Sequence, residues 1–319
     1  MSTVGCELGT ARIIGARLDD DAGIRQRTLP CCYLEVTDID PATLTALGLE
    51  PVSSGGHTFV IGAEALTAAL VLGVAPRRPL ATGLLNADDP IDPLAVSCML
   101  REVLGRAVVV GEVCYFAVPP PVVDAVSYDV ERHRACVTRL LAALGYTGRA
   151  VPTPLALLHS ATAAALYFDQ GLTQAAIYYD SNPVVSFSSA NSGHWLDQQV
   201  ALVTGMATEQ AYAIRTQTDD PVDLTNPTTT VEQRISEFTF SIIYRVLQRL
   251  AAELQVTPLP AAVPLYLLVA GEVAQAQHFI DVVRQAALAL APVLPTWSDI
   301  RLAPNPQLAV VDGLVARPL

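Results

Sequence analysis

The chain has 319 residues, half of them hydrophobic and few of them charged, so it can bury a large core and fold as one or two packed domains. A formal net charge of −12, with no basic stripe interleaved with aromatics, argues against a nucleic-acid partner. All 19 basic residues are arginine, which excludes a P-loop of the G-x-x-x-x-G-K-[ST] kind and any Schiff-base lysine.

In chain order, Thr3 to Glu7 predicts a strand, Leu8-Gly9-Thr10 a tight turn and Ala11 to Leu18 a second strand, with Asp19 to Gly23 turning again. A further strand is expected over Pro30 to Val36. Ser53-Ser54-Gly55-Gly56 reads as a loop before the apolar run His57 to Ile61, and Gly62 to Leu72 as a helix. After a loop-rich passage from Pro76 to Pro93, Leu94 to Leu104 is helical. Ala107 to Val118 predicts a buried strand ending at Pro119-Pro120-Pro121, and Asp129 to Leu144 a helix closed by Gly145. Arg149 to Val151 is a short strand, and Pro154 to Phe168 an alanine-rich helix with proline in its first turn.

Gln174 to Tyr179 and Val184 to Ser188 predict strands joined by the turn Asp180-Ser181-Asn182-Pro183. Two helices follow over Gly193 to Leu202 and Ala207 to Ile214, then a polar loop from Asp219 to Thr230, then the longest helix over Val231 to Leu254. Pro264 to Val269 is a strand entering Ala270-Gly271-Glu272, from which a helix is expected to about Leu290. A strand near Ile300 and a short helix after Pro306 close the chain. The alternation makes the class α/β.

The six cysteines (Cys6, Cys31, Cys32, Cys98, Cys114 and Cys136) form no C-x-x-C pair and are expected to be reduced and buried. No apolar run reaches the roughly 20 residues of a bilayer span, and no secretory signal is visible from Met1, so the cytoplasm is the expected compartment.

Several passages in this order resemble the actin-like ATPases, most closely the bacterial MreB branch. Gly5-Cys6-Glu7-Leu8-Gly9-Thr10-Ala11 is similar to that family's G-I-D-L-G-T hairpin, and Phe59 to Ala65 to its V-G-x-x-A passage. Arg78-Pro79-Leu80 with Gly83 resembles R-P-L-x-x-G, and Thr153-Pro154-Leu155-Ala156 sits where the family writes E-P-x-A-A. Asp180 falls at the acid of D-x-G-G-G-T, Ser192 to Asp197 at G-G-x-x-F/L-D, Ala270-Gly271-Glu272 at the adenosine-side G-G-G, and Asn305 to Gly313 at the closing segment.

The resemblance implies a ribonuclease H-like, two-lobed fold with a central cleft. Its first lobe would span residues 1–158 with 302–319 returning to it, and its second 159–301. It implies ATP and Mg²⁺ as cofactors, with Gly9, Thr10, Ala11, Ser181, Asn182, Gly193, Gly271 and Glu272 near the nucleotide, Glu7 and Asp180 near the metal, and Thr153 and Asp180 at the catalytic positions. The turn at Gly9 can offer backbone N–H groups to a phosphate or be an ordinary turn between strands. Asp180 can orient a hydrated Mg²⁺ or cap its own turn. Asp180-Ser181-Asn182-Pro183 lacks glycine and its proline lacks a donor. Thr153 replaces an acid with a poor proton acceptor. Glu272 would repel an α-phosphate, and it also suits the start of a helix. His159 is read as structural, and Trp195 as a core or interface anchor or a stacking platform for a base.

The resulting expectation is a filament-forming, MreB-like protein with weak or vestigial ATP binding and slow or absent hydrolysis, whose partner is itself. The alternative is a non-catalytic scaffold that holds another protein.

Overall fold

The computed structural model describes residues 3–19, 23–80, 82–86, 88–125, 128–158, 160–260 and 265–316. His159 lies outside the described residues. The backbone divides into two compact units, one of Met1–Val118, Asp129–Val151 and Leu314–Leu319, the other of Pro119–Tyr128 and Pro152–Gly313.

The first unit opens with β1 (Thr3–Leu8), β2 (Arg12–Asp19), β3 (Gly23–Pro30) and β4 (Tyr33–Glu35). It continues through α1 (Pro41–Ala46), β5 (Val52–Ser54), β6 (His57–Ile61), α2 (Gly62–Leu72), α3 (Ile91–Leu104), β7 (Glu112–Val118), α4 (Val130–Ala143) and β8 (Tyr146–Pro152). Its main sheet has the order β3-β2-β1-β7-β8, with β1 antiparallel to β2 and parallel to β7. Strands β4, β6 and β5 form a small separate sheet backed by α2. The core of the main sheet packs Ile13, Phe59, Met99, Phe116 and Val137, and five of the six cysteines lie in it. The sixth, Cys32, is buried under α2.

The second unit holds α5 (Thr153–Leu157), β9 (Ala163–Phe168), β10 (Thr173–Tyr179), β11 (Asn182–Ser189), α6 (Gly193–Thr204), α7 (Thr208–Thr216), α8 (Thr230–Val256), β12 (Leu265–Ala270), α9 (Phe279–Ala289), β13 (Trp297–Leu302) and the start of α10 (Ala309–Val315), whose last two residues belong to the first unit. Its sheet order, β11-β10-β9-β12-β13, repeats the first: a three-strand antiparallel meander whose first strand pairs in parallel with the fourth. The long helix α8 starts at a capping box in which Thr229 and Glu232 exchange side-chain and backbone hydrogen bonds, and it buries Ile235, Ile242, Val246 and Leu250 on one stripe.

Several expectations are corrected. The helix predicted over Pro154 to Phe168 is the single turn of α5 followed by β9. Ala163, Ala164 and Ala165 have high helix propensity, yet they sit fully buried in the centre of a sheet, where their small side chains meet neighbours on both faces. The helix expected from Glu272 is a 3-10 turn at Val273–Gln275, then α9, separated by His278 at φ 60°. The strand read over Pro30 to Val36 holds only the last residue of β3 and the short β4, broken at Cys31 and Cys32, and the rest of β3 had no expectation attached to it. The buried strand predicted from Ala107 begins only at Glu112, and Val108, Val109 and Val110 are exposed. Ser53 and Ser54, read as the start of a loop, end strand β5, and helix α1 had no expectation attached to it.

Candidate functional site

Strand β1 ends at Leu8, which pairs with Ile13, so Gly9, Thr10, Ala11 and Arg12 form a four-residue turn. The Gly9 N–H donates to the Arg12 carbonyl at 2.9 Å and closes it. Glu7 and Ala11 are buried. Thr10 is 3% exposed, and its Oγ1 is a buried polar atom with no hydrogen-bond partner. Such a hydroxyl costs free energy where it stands and is a group that a ligand oxygen would satisfy.

The repeated topology identifies the equivalent turn of the second unit. Phe168 pairs with Thr173, so Asp169, Gln170, Gly171 and Leu172 form another four-residue turn, closed by the Asp169 N–H donating to the Leu172 carbonyl at 3.1 Å. This turn, and not the one at Asp180, is the structural counterpart of Gly9 to Arg12. Sequence reasoning missed it because the preceding residues read as helix. The signal was present as Asp169-Gln170-Gly171-Leu172-Thr173, which carries the acid, one glycine and the threonine of D-x-G-G-G-T.

Around this turn lies a buried polar network. Arg215, near the end of α7, donates from Nε to Asp197 Oδ1 at 2.7 Å and from Nη2 to Asp197 Oδ2 at 3.0 Å. Gln170 bridges the pair, donating from Nε2 to Asp197 Oδ2 at 2.8 Å and accepting from Arg215 Nη2. Asp197 is fully buried and Arg215 and Gln170 are 6% exposed. Burial disfavours the charge on Arg215, but the adjacent Asp197 carboxylate, its hydrogen bonds and Glu272 more than offset this and raise its pKa. The Tyr212 ring lies 5.5 Å from the guanidinium, and its hydroxyl donates to Glu272 Oε1 at 3.0 Å.

Gly193, Gly271 and Glu272 are brought together at this end of the sheet, where the parallel strands β9 and β12 finish. A Cβ on Gly193 would stand 2.5 Å from Gln170 Oε1 and 3.1 Å from Arg215 Nη2. Gly271 has φ 111°, and a Cβ there would stand 2.3 Å from the Phe168 carbonyl oxygen. Gly271 is therefore required by the protein's own packing, and a side chain at Gly193 would have to displace Gln170.

Asp180, Ser181 and Asn182 are placed elsewhere. Asp180 (φ 49°) and Ser181 (φ 63°) make a two-residue turn at the opposite end of β10, one seven-residue strand or about 20 Å from the Asp169 turn. The Asp180 N–H donates to Thr162 Oγ1 at 3.0 Å and the Ser181 N–H to the Ala161 carbonyl at 2.7 Å, so neither is available to a phosphate. Thr153 begins α5 and is buried. Trp195 meets Phe238 edge-on at 5.9 Å with Arg245 over its ring, as a partly buried anchor of the second core. Among the described residues, no group of three or more His, Cys, Asp or Glu side chains could hold a metal ion.

The fit to ATP and Mg²⁺ is thus uneven. The Thr10 hydroxyl suits a phosphate oxygen. The second unit does not suit one: the Gly193 and His194 N–H groups are spent on the Asp169 and Gln170 carbonyls, the Gln170 amide is held by Asp197 and Arg215, and Glu272 follows Gly271.

Solved structures with the same architecture cover nearly the whole chain. The MamK double helical filament aligns at a TM-score of 0.68 and 14% identity, covering 98% of this chain and 97% of that one. MreB 5 of Spiroplasma citri, bound to AMPPNP, aligns at 0.65 and 13%, covering 98% and 94%. The ethanolamine utilization protein EutJ from Carboxydothermus hydrogenoformans aligns at 0.55 and 14%, covering 99% and 89%. These likenesses establish the expected actin-like α/β fold. No curated protein matches the sequence. The Volactin family profile matches residues 1–317, and with that full-length match the chain belongs to the Volactin family.

Proposed function

We propose that this chain is an actin-like cytoskeletal protein that assembles with copies of itself into filaments in the cytoplasm, with weak or vestigial ATP binding and slow or absent hydrolysis. The observation that carries the assembly reading is the end-to-end backbone likeness to MamK in its double helical filament. No helix of the described residues is long and apolar enough to cross a membrane, which suits assembly without a membrane span.

The weakness of nucleotide binding follows from the site. A phosphate needs several converging N–H donors to replace its hydration. At the Asp169 turn, the Asp169 N–H is spent on the Leu172 carbonyl, and the Gly193 and His194 N–H groups at the start of α6 are spent on the Asp169 and Gln170 carbonyls. By the resemblance, Thr153 stands where the family carries an acid, and a threonine hydroxyl abstracts protons poorly at neutral pH.

Negative-stain microscopy and light scattering of the purified chain, with and without Mg-ATP, test the reading. Filaments accompanied by negligible phosphate release are expected. Monomers under every condition, together with stable capture of another protein, would move the conclusion to a non-catalytic scaffold.

A further inference from the structure

The Asp169 turn, the start of α6 and the end of α7 are tied together entirely by the chain's own groups. Ser192 provides no side-chain cap for α6. Its first two N–H groups are instead taken by the turn: Gly193 donates to the Asp169 carbonyl at 3.0 Å and His194 to the Gln170 carbonyl at 2.7 Å. A helix start is normally where an anion binds, because these donors are unpaired. Here the first two are already satisfied.

The side chains repeat the pattern. Asp197 belongs to α6, Arg215 to α7 and Gln170 to the turn, so each of the three elements contributes one member of the buried triad. A bidentate guanidinium–carboxylate pair with an amide across both partners fixes orientation as well as distance. Tyr212 extends the network to Glu272, at the end of β12. The acids Asp169, Asp197 and Glu272 outnumber the one arginine, so the charge balance here opposes a polyphosphate.

We infer that the Gln170–Asp197–Arg215 triad does for the second unit what a bound nucleotide would otherwise do, holding the turn, α6 and α7 in one ordered arrangement, so that its order and the assembly of the chain do not depend on ATP. The assembly clause rests on the filament reading above; the clause about order does not.

Two measurements on the full-length chain test it. Thermal unfolding in millimolar Mg-ATP or Mg-AMPPNP should shift by less than about 1 °C, because a ligand stabilises only in proportion to its binding. Hydrogen exchange should find the Gly193 and His194 amides protected without nucleotide and unchanged with it. Replacing Gln170→Ala, which keeps the ion pair and so the fold, should speed exchange at these amides by at least about tenfold. A saturable rise in unfolding temperature with Mg-ATP, or α6 amides that gain protection only when nucleotide is added, would overturn the inference. Filaments that form only with ATP would overturn its assembly clause and leave the filament reading standing. An absence of filaments alongside nucleotide-insensitive unfolding would sink the filament reading and leave the triad's role intact.

Discussion

The turns at Gly9 and Asp169 occupy the same place in two sheets of the same strand order, have the same length and are closed by the same bond, yet their surroundings are opposite. At the second position of the first turn stands Thr10, with a buried hydroxyl that nothing satisfies. At the second position of the other stands Gln170, whose amide is held by both members of a buried ion pair. One hairpin geometry therefore supports a group left open and a group fully engaged. The difference lies in the elements packed behind the turn: α6 and α7 bring Asp197 and Arg215 to Gln170.

The largest test of this contrast removes the charge that organises the second turn. Arg215→Ala leaves Asp197 buried without its cation and should cost about 3–5 kcal/mol by urea denaturation. A loss below about 1 kcal/mol would mean that the pair is not what holds the turn.

In the first unit one loop is anchored by a neutral imidazole, and this makes that anchor sensitive to acid. His133 on α4 is 1% exposed, accepts from the Leu85 N–H at 3.0 Å, and has its pKa pushed down to about 4 by burial. Because the folded protein favours neutral imidazole, the contribution is complete above the unfolded value of about 6.5 and is lost as pH falls toward 4, a span of about 3 kcal/mol. Denaturation at pH 7 and near pH 4.5 should show this slope. His133→Asn, whose side-chain oxygen can still accept from Leu85, should flatten it.

Two smaller substitutions compare the turns directly. Gln170→Met keeps the shape but removes one of the two bonds to Asp197 Oδ2 and strands one guanidinium N–H, for a loss of about 1–3 kcal/mol. Thr10→Val removes a hydroxyl that has no partner and should be neutral or stabilising by up to about 1 kcal/mol. Equal losses at the two positions would erase the distinction.

Much of the fold was legible in the residues. Helix α2 was predicted with its observed ends, α4 within a residue at each, and the first hairpin was anchored by Gly9. The failure was local and it propagated. Reading Ala163 to Phe168 as helix hid β9, and the acidic motif was then assigned to Asp180, one strand too late. A strand buried on both faces carries no alternation, and alanine favours helix unless neighbours on two sides bury it. Only the pairing of β9 with β10 and β12 reveals which turn matches which.

By itself the sequence determined the α/β class, the lack of any lysine chemistry and the position of the Gly9 turn, because composition, periodicity and turn chemistry are local properties. The tertiary structure alone decided that Gln170, Asp197 and Arg215 meet. Their separations of 27, 18 and 45 residues along the chain carry no signal until α6 and α7 pack against the end of β9. An ion pair of that kind exists only where burial makes leaving either partner alone too costly.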